Sequence, residues 1–116
     1  MLKPGDVVIL DFPGATGVKR RPAIVVSTAL YHAPRPDVIE GLLTTQLASA
    51  NAPTDYIIEH WAAAGLRQPS AFRSYLAPVD VAGRPPAGHL TDRDWAGVQA
   101  CLAGALALAV PSAGAA

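Results

Sequence analysis

An arginine and a threonine lie at the ends of two apolar segments, and together they could act on a phosphodiester. Arg21 precedes the apolar residues 22–26, and Thr45 ends a second segment that begins at Asp37. If the two segments run antiparallel in a sheet, these ends share one rim. A guanidinium stabilises negative charge on phosphorus oxygens, and a hydroxyl donates to them or orients them. RNA supplies its own 2′-hydroxyl nucleophile, so the pair would need no nucleophilic side chain, although arginine is a poor base.

Both residues also have ordinary structural interpretations, and other chemistries find less support. Threonine is common at strand ends, and clustered cations can protect a strand end from edge-to-edge pairing. The three histidines lie far apart, and no Cys-x-x-Cys pair, Gly-x-Ser-x-Gly motif, P-loop or dinucleotide-binding loop occurs. We therefore expect neither a metal ion nor a cofactor.

The composition is typical of one globular domain. Hydrophobic residues make up 51% of the 116 residues and the formal net charge is zero, which excludes a disordered chain and a strongly basic protein that coats nucleic acid. The single cysteine, Cys101, cannot form an internal disulfide and is expected in the core or at an interface. No signal peptide or bilayer-length apolar segment is evident, which favours a cytoplasmic protein without membrane contact. Residues 1–110 are expected to form the domain and residues 111–116 a flexible tail.

Short apolar segments between turns rich in glycine and proline predict a series of β-strands. Residues 7–12 and the segment after Arg21 are expected to form an antiparallel hairpin around the glycine-rich residues 13–17. Further strands are predicted at 37–45, with a kink or bulge at Gly41, at 54–58 and within 68–79, with a loop at 27–36 and a short helical stretch at 59–65 that ends at Gly65.

One clear helix is predicted near the C-terminus. Thr91 is a good N-cap, and Asp92 and Asp94 lie in the first turn, where the helix dipole favours acidic side chains. An apolar stripe follows at three- and four-residue spacing and is expected to end before Pro111; its members are Trp95, Val98, Leu102, Ala105, Leu106 and Ala109. Several strands followed by one helix predict a mostly-β or α+β fold, in which a small, strongly bent sheet or barrel is covered by that helix.

Five segments of the chain occur in a recognisable order. They are Lys3–Phe12, Arg20–Ser27, Thr44–Gln46, Gly65–Ser70 with Arg73, and Gly88–Asp94. In this order they resemble the MazF/PemK-like toxins of type II toxin–antitoxin systems, over roughly residues 3 to 108. The resemblance implies an SH3-like β-barrel of the CcdB/PemK type with a C-terminal helix, a homodimer, and a cognate antitoxin as partner.

The same resemblance implies an endoribonuclease of the mRNA interferase type. Such toxins cleave single-stranded RNA at specific sequences without a metal ion, through attack of the RNA 2′-hydroxyl, and leave 2′,3′-cyclic phosphate and 5′-hydroxyl ends. The family's catalytic arginine before Pro-Ala corresponds to Arg21, and its catalytic threonine or serine before glutamine corresponds to Thr45. The predicted RNA-binding residues are Lys19, Arg20, Thr44, Gln46, Tyr31 and Arg73.

Two further expectations concern the RNA-binding side chains. Tyr31 and His32 lie in a predicted loop, where an exposed ring can stack on a base. Arg73 could bind a phosphate, or it could form an ion pair with Asp80 or Asp37.

Two alternatives lack catalysis. The CcdB toxins resemble this barrel but act by binding DNA gyrase, so an SH3-like binding module is the principal alternative, because a fold alone does not decide function. A structural subunit whose helix stripe serves only for assembly is the other.

Overall fold

A curled antiparallel sheet of six strands forms the body of the protein, and one long helix packs against it. The computed structural model describes residues 2–14, 17–81 and 83–108. The elements are β1 (Asp6–Gly14), β2 (Gly17–Val25), α1 (Ala29–His32), β3 (Asp37–Thr44), β4 (Tyr56–Ile57), β5 (Ala71–Asp80), β6 (Gly88–His89) and α2 (Asp92–Ala105), with a 3₁₀ turn at Leu47–Ser49. The strand order is β4-β5-β3-β2-β1-β6. The predicted bent sheet with a C-terminal helix is confirmed.

Pro22 ends the pairing between β2 and β3. The predicted β1–β2 hairpin is confirmed, and Pro22 pairs with Ile9 inside it. On the other side of β2, the N–H of Val26 donates to the carbonyl oxygen of Ile39 at 3.0 Å. Alternate residues of a strand direct their N–H groups to the same side, so Pro22 would have to donate toward β3, which it cannot do because it has no N–H. The β2–β3 ladder accordingly stops at Ala23.

A bulge interrupts the pairing of β3 with β5. The register shifts between Gly41 and Leu43, so that three residues of β5 (73–75) lie opposite one residue of β3. The middle residue of the three, Ser74, has a φ of 55°, and its hydroxyl donates to the carbonyl oxygen of Thr54 at 2.8 Å. The register shift confirms the irregularity predicted at Gly41. Glycine is also needed there, because a Cβ would overlap the ring of Phe72 in β5.

Two apolar clusters lie on the two faces of the sheet. The first is closed by α2 and contains Val7, Ile24, Leu43, Ile58, Ala64, Leu66, Phe72, Leu90, Val98, Cys101 and Leu102. The second contains Leu2, Val8, Leu10, Ala23, Val25, Val38 and Val81. Successive residues of β2 therefore alternate between the clusters, as the pleat of a strand requires. This alternation determines which polar side chains of β2 and β3 lie on the same face of the sheet.

Helix α2 begins where the sequence predicts. The hydroxyl of Thr91 accepts a hydrogen bond from the N–H of Asp94 at 3.3 Å. The buried carboxylate of Asp94 accepts in turn from the Tyr56 hydroxyl at 2.7 Å and from the N–H groups of Glu59 and His60 at 3.1 and 2.8 Å. Burial opposes ionisation of Asp94, but these hydrogen bonds outweigh it and lower its pKa. The network fixes the start of α2 to β4 and to the segment that follows it.

Replacing Thr91 by alanine is expected to lower the free energy of unfolding by about 1 kcal/mol, because the Asp94 N–H loses its acceptor. Equilibrium unfolding in urea measures the change. Thr28 is the matched control, since it occupies the N-cap of α1 without a side-chain capping bond, and Thr28→Ala should cost less than about 0.5 kcal/mol. Equal losses in the two variants would contradict a capping role for Thr91.

The helix ends earlier than predicted. It stops at Ala105, and Leu106 has an extended backbone. Leu102 is the last buried residue, and the side chains from 103 to 108 are exposed, so no burial stabilises further helical turns. Ala109 and the predicted tail at 111–116 lie outside the described residues.

Several short elements also differ from the prediction. Helix α1 lies in the segment 27–36 that is predicted as a loop, and no element is predicted at the 3₁₀ turn or at β6. The strand predicted at 54–58 is reduced to the two residues of β4. Residues 59–65 form turns rather than a helix, although they end at Gly65 with a φ of 86°, as a glycine stop requires. Within the described ranges, no helix is long and apolar enough to cross a membrane.

Candidate active site

The gap left where β2 and β3 stop pairing forms an open pocket of about 490 Å³, here called the arginine pocket. It is lined by Arg21, Leu42, Leu43, Thr44, Arg73 and Tyr75. The last paired residues of the ladder are Ala23 and Leu42, and continuing that register by two residues sets Arg21 opposite Thr44. The two side chains therefore point to the same face of the sheet.

The structure does not bring Arg21 and Thr45 together, and this corrects the predicted pairing. Thr45 lines a different pocket, of about 380 Å³, together with Arg20 and Pro22. Because successive side chains of a strand point to opposite faces, the residue that meets Arg21 is Thr44, and the one that meets Arg20 is Thr45. The ends of β2 and β3 lie side by side, but Thr44 lines the pocket of Arg21 and Thr45 lines the other one. The catalytic role of either threonine stays a prediction.

The Thr44 hydroxyl is oriented by the backbone. Its oxygen accepts a hydrogen bond from the N–H of Gln46 at 3.1 Å. A hydroxyl that accepts this bond retains its proton for donation to another group. Thr44 is half-buried beside the exposed Arg21, so the proton can be offered to an anion in the arginine pocket.

Two guanidinium groups face the same pocket with different partners. Arg21 forms no ion pair with any residue in the described part of the chain. The Nε of Arg73 lies 3.5 Å from Oδ1 of Asp55, whose side chain is only 3% exposed, so the ion-pair partner is Asp55 rather than Asp80 or Asp37. Asp55 also accepts from the N–H of Ala52 at 3.0 Å. Arg73 is thus anchored through Nε, and its two terminal nitrogens can bind a second anion.

Tyr31 lies outside the arginine pocket, and its ring already has partners. Its hydroxyl donates to Asp37 at 2.7 Å, and this bond raises the pKa of the Tyr31 hydroxyl. The Arg35 guanidinium lies 4.6 Å from the ring centroid, and the His32 ring meets it edge-on. Tyr31 is therefore poorly placed to stack on a base beside Arg21, and its predicted contact with RNA elsewhere stays a prediction.

The remaining predicted RNA-binding residues lie around the two pockets. Lys19 is exposed and lies two residues before Arg21, on the same face of β2. Arg20 points to the opposite face, where its Nε lies 3.5 Å from Asp11 Oδ1. The Gln46 side chain is exposed at the end of β3. None of these three residues lines the arginine pocket.

The histidines have structural partners. The Nδ1 of His89 lies 2.7 Å from Asp6 Oδ1, joining the start of β1 to β6. His32 contacts the Ser27 hydroxyl, and His60 contacts Thr91 at 3.1 Å. Across residues 2–14, 17–81 and 83–108, no group of three or more His, Cys, Asp or Glu side chains could hold a metal ion.

Solved structures with similar folds include several toxins. An endoribonuclease from a mycobacterial species, solved with its cognate antitoxin, aligns over 96% of this chain and 100% of its own with a TM-score of 0.75 and 19% identity. A MazE–MazF structure from Deinococcus radiodurans aligns over 93% and 98%, with a TM-score of 0.72 and 20% identity. Mycobacterium tuberculosis toxin MazF-mt6 aligns over 90% and 99%, with a TM-score of 0.70 and 18% identity. These likenesses establish the fold.

Sequence comparison establishes the family. No curated protein sequence matches the chain. A family model described as the PemK-like, MazF-like toxin of type II toxin–antitoxin systems matches residues 3–106, which is most of the chain. That range includes β1 through α2 and every residue of the arginine pocket. The chain therefore belongs to the PemK-like, MazF-like toxins of type II toxin–antitoxin systems.

Proposed function

We propose that this toxin is a metal-independent endoribonuclease that cleaves single-stranded RNA at specific sequences, with Arg21 and Thr44 as its catalytic residues. The observation that carries the proposal is the convergence of Arg21, Thr44 and Arg73 on one open pocket. Two guanidiniums and one oriented hydroxyl complement the charge and the acceptors of a phosphodiester. Thr45 has no part in the chemistry, because it lies in the other pocket with Arg20.

The reaction uses the nucleophile of the substrate. The RNA 2′-oxygen forms a bond to the adjacent phosphorus as it loses its proton to solvent water. The bond from phosphorus to the 5′-oxygen breaks, and the 5′-oxygen takes up a proton from water. The products are a 2′,3′-cyclic phosphate and a 5′-hydroxyl. Arg21 stabilises the charge that develops on the non-bridging oxygens, and Thr44 donates a hydrogen bond to one of them. Arg73 holds the phosphate in place.

The proposed partners follow from the family. The mycobacterial relative was solved with its cognate antitoxin, and we propose that this chain also acts as a cytoplasmic homodimer inhibited by an antitoxin. Single-stranded RNA suits an open pocket because its bases can be splayed out and contacted singly. Lys19, Arg20 and Gln46 would then contact RNA on either side of the cleaved bond.

Mapping the ends of cleaved RNA tests the proposal. The purified protein is incubated with a long single-stranded transcript in EDTA. We expect cuts at a recurrent sequence, with 2′,3′-cyclic phosphate and 5′-hydroxyl ends, and no cut where the preceding nucleotide is 2′-deoxy. An intact transcript would overturn the nuclease assignment and leave the non-catalytic binding module as the function.

Replacing Thr44 by valine is expected to slow RNA cleavage by about a hundredfold, because one hydrogen-bond donor to the developing charge is lost. Thr45→Val is the matched control and is expected to leave the rate essentially unchanged. Single-turnover cleavage of one oligonucleotide measures both variants. Equal losses, or a larger loss in Thr45→Val, would contradict the choice of Thr44.

A further inference from the structure

We propose that Tyr75 is a base-binding subsite, on which the unpaired nucleobase next to the cleaved phosphate stacks. The inference rests on the proposed function and extends it from the phosphate to the base. Stacking of a base on an aromatic ring is a common way of holding single-stranded RNA.

Tyr75 is an exposed aromatic ring at the rim of the arginine pocket. Tyr75 is 67% exposed, and it lines the pocket with Arg21 and Thr44. The other two tyrosines donate their hydroxyls to carboxylates, Tyr31 to Asp37 and Tyr56 to Asp94; within the described ranges, Tyr75 has no hydrogen-bond partner. The ring is therefore available to a ligand in the pocket.

The bulge in β5 holds Tyr75 rigidly. Ser74 is the one non-glycine residue with positive φ in the described part of the chain, a conformation that persists only where surrounding contacts fix it. Its hydroxyl is bound to the Thr54 carbonyl, and Arg73 before it is bound to Asp55. A ring mounted on fixed backbone loses little entropy when a base binds.

The surroundings of Tyr75 favour a nucleotide over an apolar ligand. Two guanidiniums, from Arg21 and Arg73, line the same pocket, so a ligand stacked on the ring lies beside strong phosphate donors. A nucleotide presents a flat ring and a phosphate together. Purines, with their larger ring, are expected to bind better at this position than pyrimidines because they overlap the phenol more.

The experiment measures binding separately from cleavage. The probe is a fluorescent RNA oligonucleotide, and binding is followed by anisotropy. If the transcript is cut, the probe carries the mapped cleavage sequence with 2′-deoxy at the cleaved position; if it is not cut, the probe is an unmodified single-stranded segment of the same transcript. Tyr75→Ala is expected to weaken binding by about 5- to 150-fold, whereas Tyr75→Phe should bind as the wild type does. Leu108→Ala is the control, because Leu108 is a large exposed side chain that lines neither pocket, and it should leave binding unchanged.

Abasic oligonucleotides locate the base. If one base stacks on Tyr75, making that position abasic should remove most of the difference between wild type and Tyr75→Ala, while abasic sites elsewhere leave it intact. Unchanged binding by Tyr75→Ala, or a loss that no single abasic site abolishes, would overturn the inference. A change of oligomeric state in Tyr75→Ala, seen by size-exclusion chromatography with light scattering, would overturn it in favour of packing against a second copy.

The two proposals fail in different ways. If the wild-type protein cuts RNA and Tyr75→Ala binds normally, only the proposed base subsite is overturned. If the wild-type protein binds the probe through Tyr75 but does not cut the unmodified RNA, only the proposed nuclease activity is overturned. If it neither binds nor cuts, both proposals are overturned.

Discussion

Replacing Arg21 by alanine is expected to slow cleavage of single-stranded RNA by about a hundred- to a thousandfold, as the loss of one preorganised donor to developing charge does in other enzymes. Arg21 is exposed and has no ion-pair partner among the described residues, so the free energy of unfolding should change by less than about 0.5 kcal/mol. Single-turnover cleavage and urea unfolding of the same preparation separate a catalytic effect from a folding effect.

Arg20 provides the matched control for this prediction. It is the adjacent cation on the same strand, but it points to the opposite face and lines the other pocket. Arg20→Ala should therefore weaken RNA binding modestly and leave the single-turnover rate at saturating protein unchanged. Arg21→Lys keeps the positive charge but loses the planar array of hydrogen-bond donors of the guanidinium. Its cleavage rate should therefore lie between those of Arg21→Ala and wild type. If the cleavage rate of Arg21→Ala equals that of wild type, or if Arg20→Ala loses as much of the rate, the assignment of Arg21 as a catalytic residue is wrong.

Local sequence patterns predicted the fold well because they report burial directly. The continuous apolar segment around Ile24 is covered on both sides, as its lack of alternation indicates. The Thr91 cap and the two aspartates after it correctly marked the start of α2. The end of the helix was wrong because an alanine-rich sequence remains apolar in composition beyond Leu102, after the packing surface has ended.

The candidate site was predicted only in part, because it depends on register. Thr44 and Thr45 are indistinguishable by type, and only the pairing of Ala23 with Leu42 shows which one meets Arg21. A signal was present in the sequence, since Pro22 cannot donate to a neighbouring strand and so marks where the sheet opens. Tyr75 is absent from the predicted site, because the bulge that brings it to the pocket depends on a positive φ at Ser74 that no local pattern indicates.

The second large effect is expected from replacing Glu40, and it is an effect on the stability of the fold rather than on RNA cleavage. Glu40 lies in β3 opposite Val25, on the face of the second apolar cluster. It is fully buried, and neither carboxyl oxygen has a hydrogen-bond partner in the described part of the chain. Burial therefore raises the pKa of Glu40 from its usual 4.5 to about 7.

The sign of the pH dependence follows from this shift. Below pH 4.5 the carboxyl is protonated in both states. Between pH 4.5 and about 7 the unfolded chain ionises Glu40 while the folded protein keeps it protonated, so unfolding releases a proton and stability falls as pH rises. A shift of this size corresponds to about 3 kcal/mol lost by pH 8, at about 1.4 kcal/mol per pKa unit.

Glu40→Leu is expected to remove this loss, because leucine fills the site without a group that must ionise in the core. Urea unfolding of both proteins at pH 5, 6, 7 and 8 should show a stability gain that grows with pH, toward about 3 kcal/mol. Glu59→Gln is the control, since Glu59 is an exposed carboxylate paired with Arg93, and its difference from wild type should stay small and flat. All other titratable groups are shared by wild type and Glu40→Leu, so the growing difference between these two proteins reports Glu40. Parallel stability curves for wild type and Glu40→Leu would mean that Glu40 ionises normally in the folded protein.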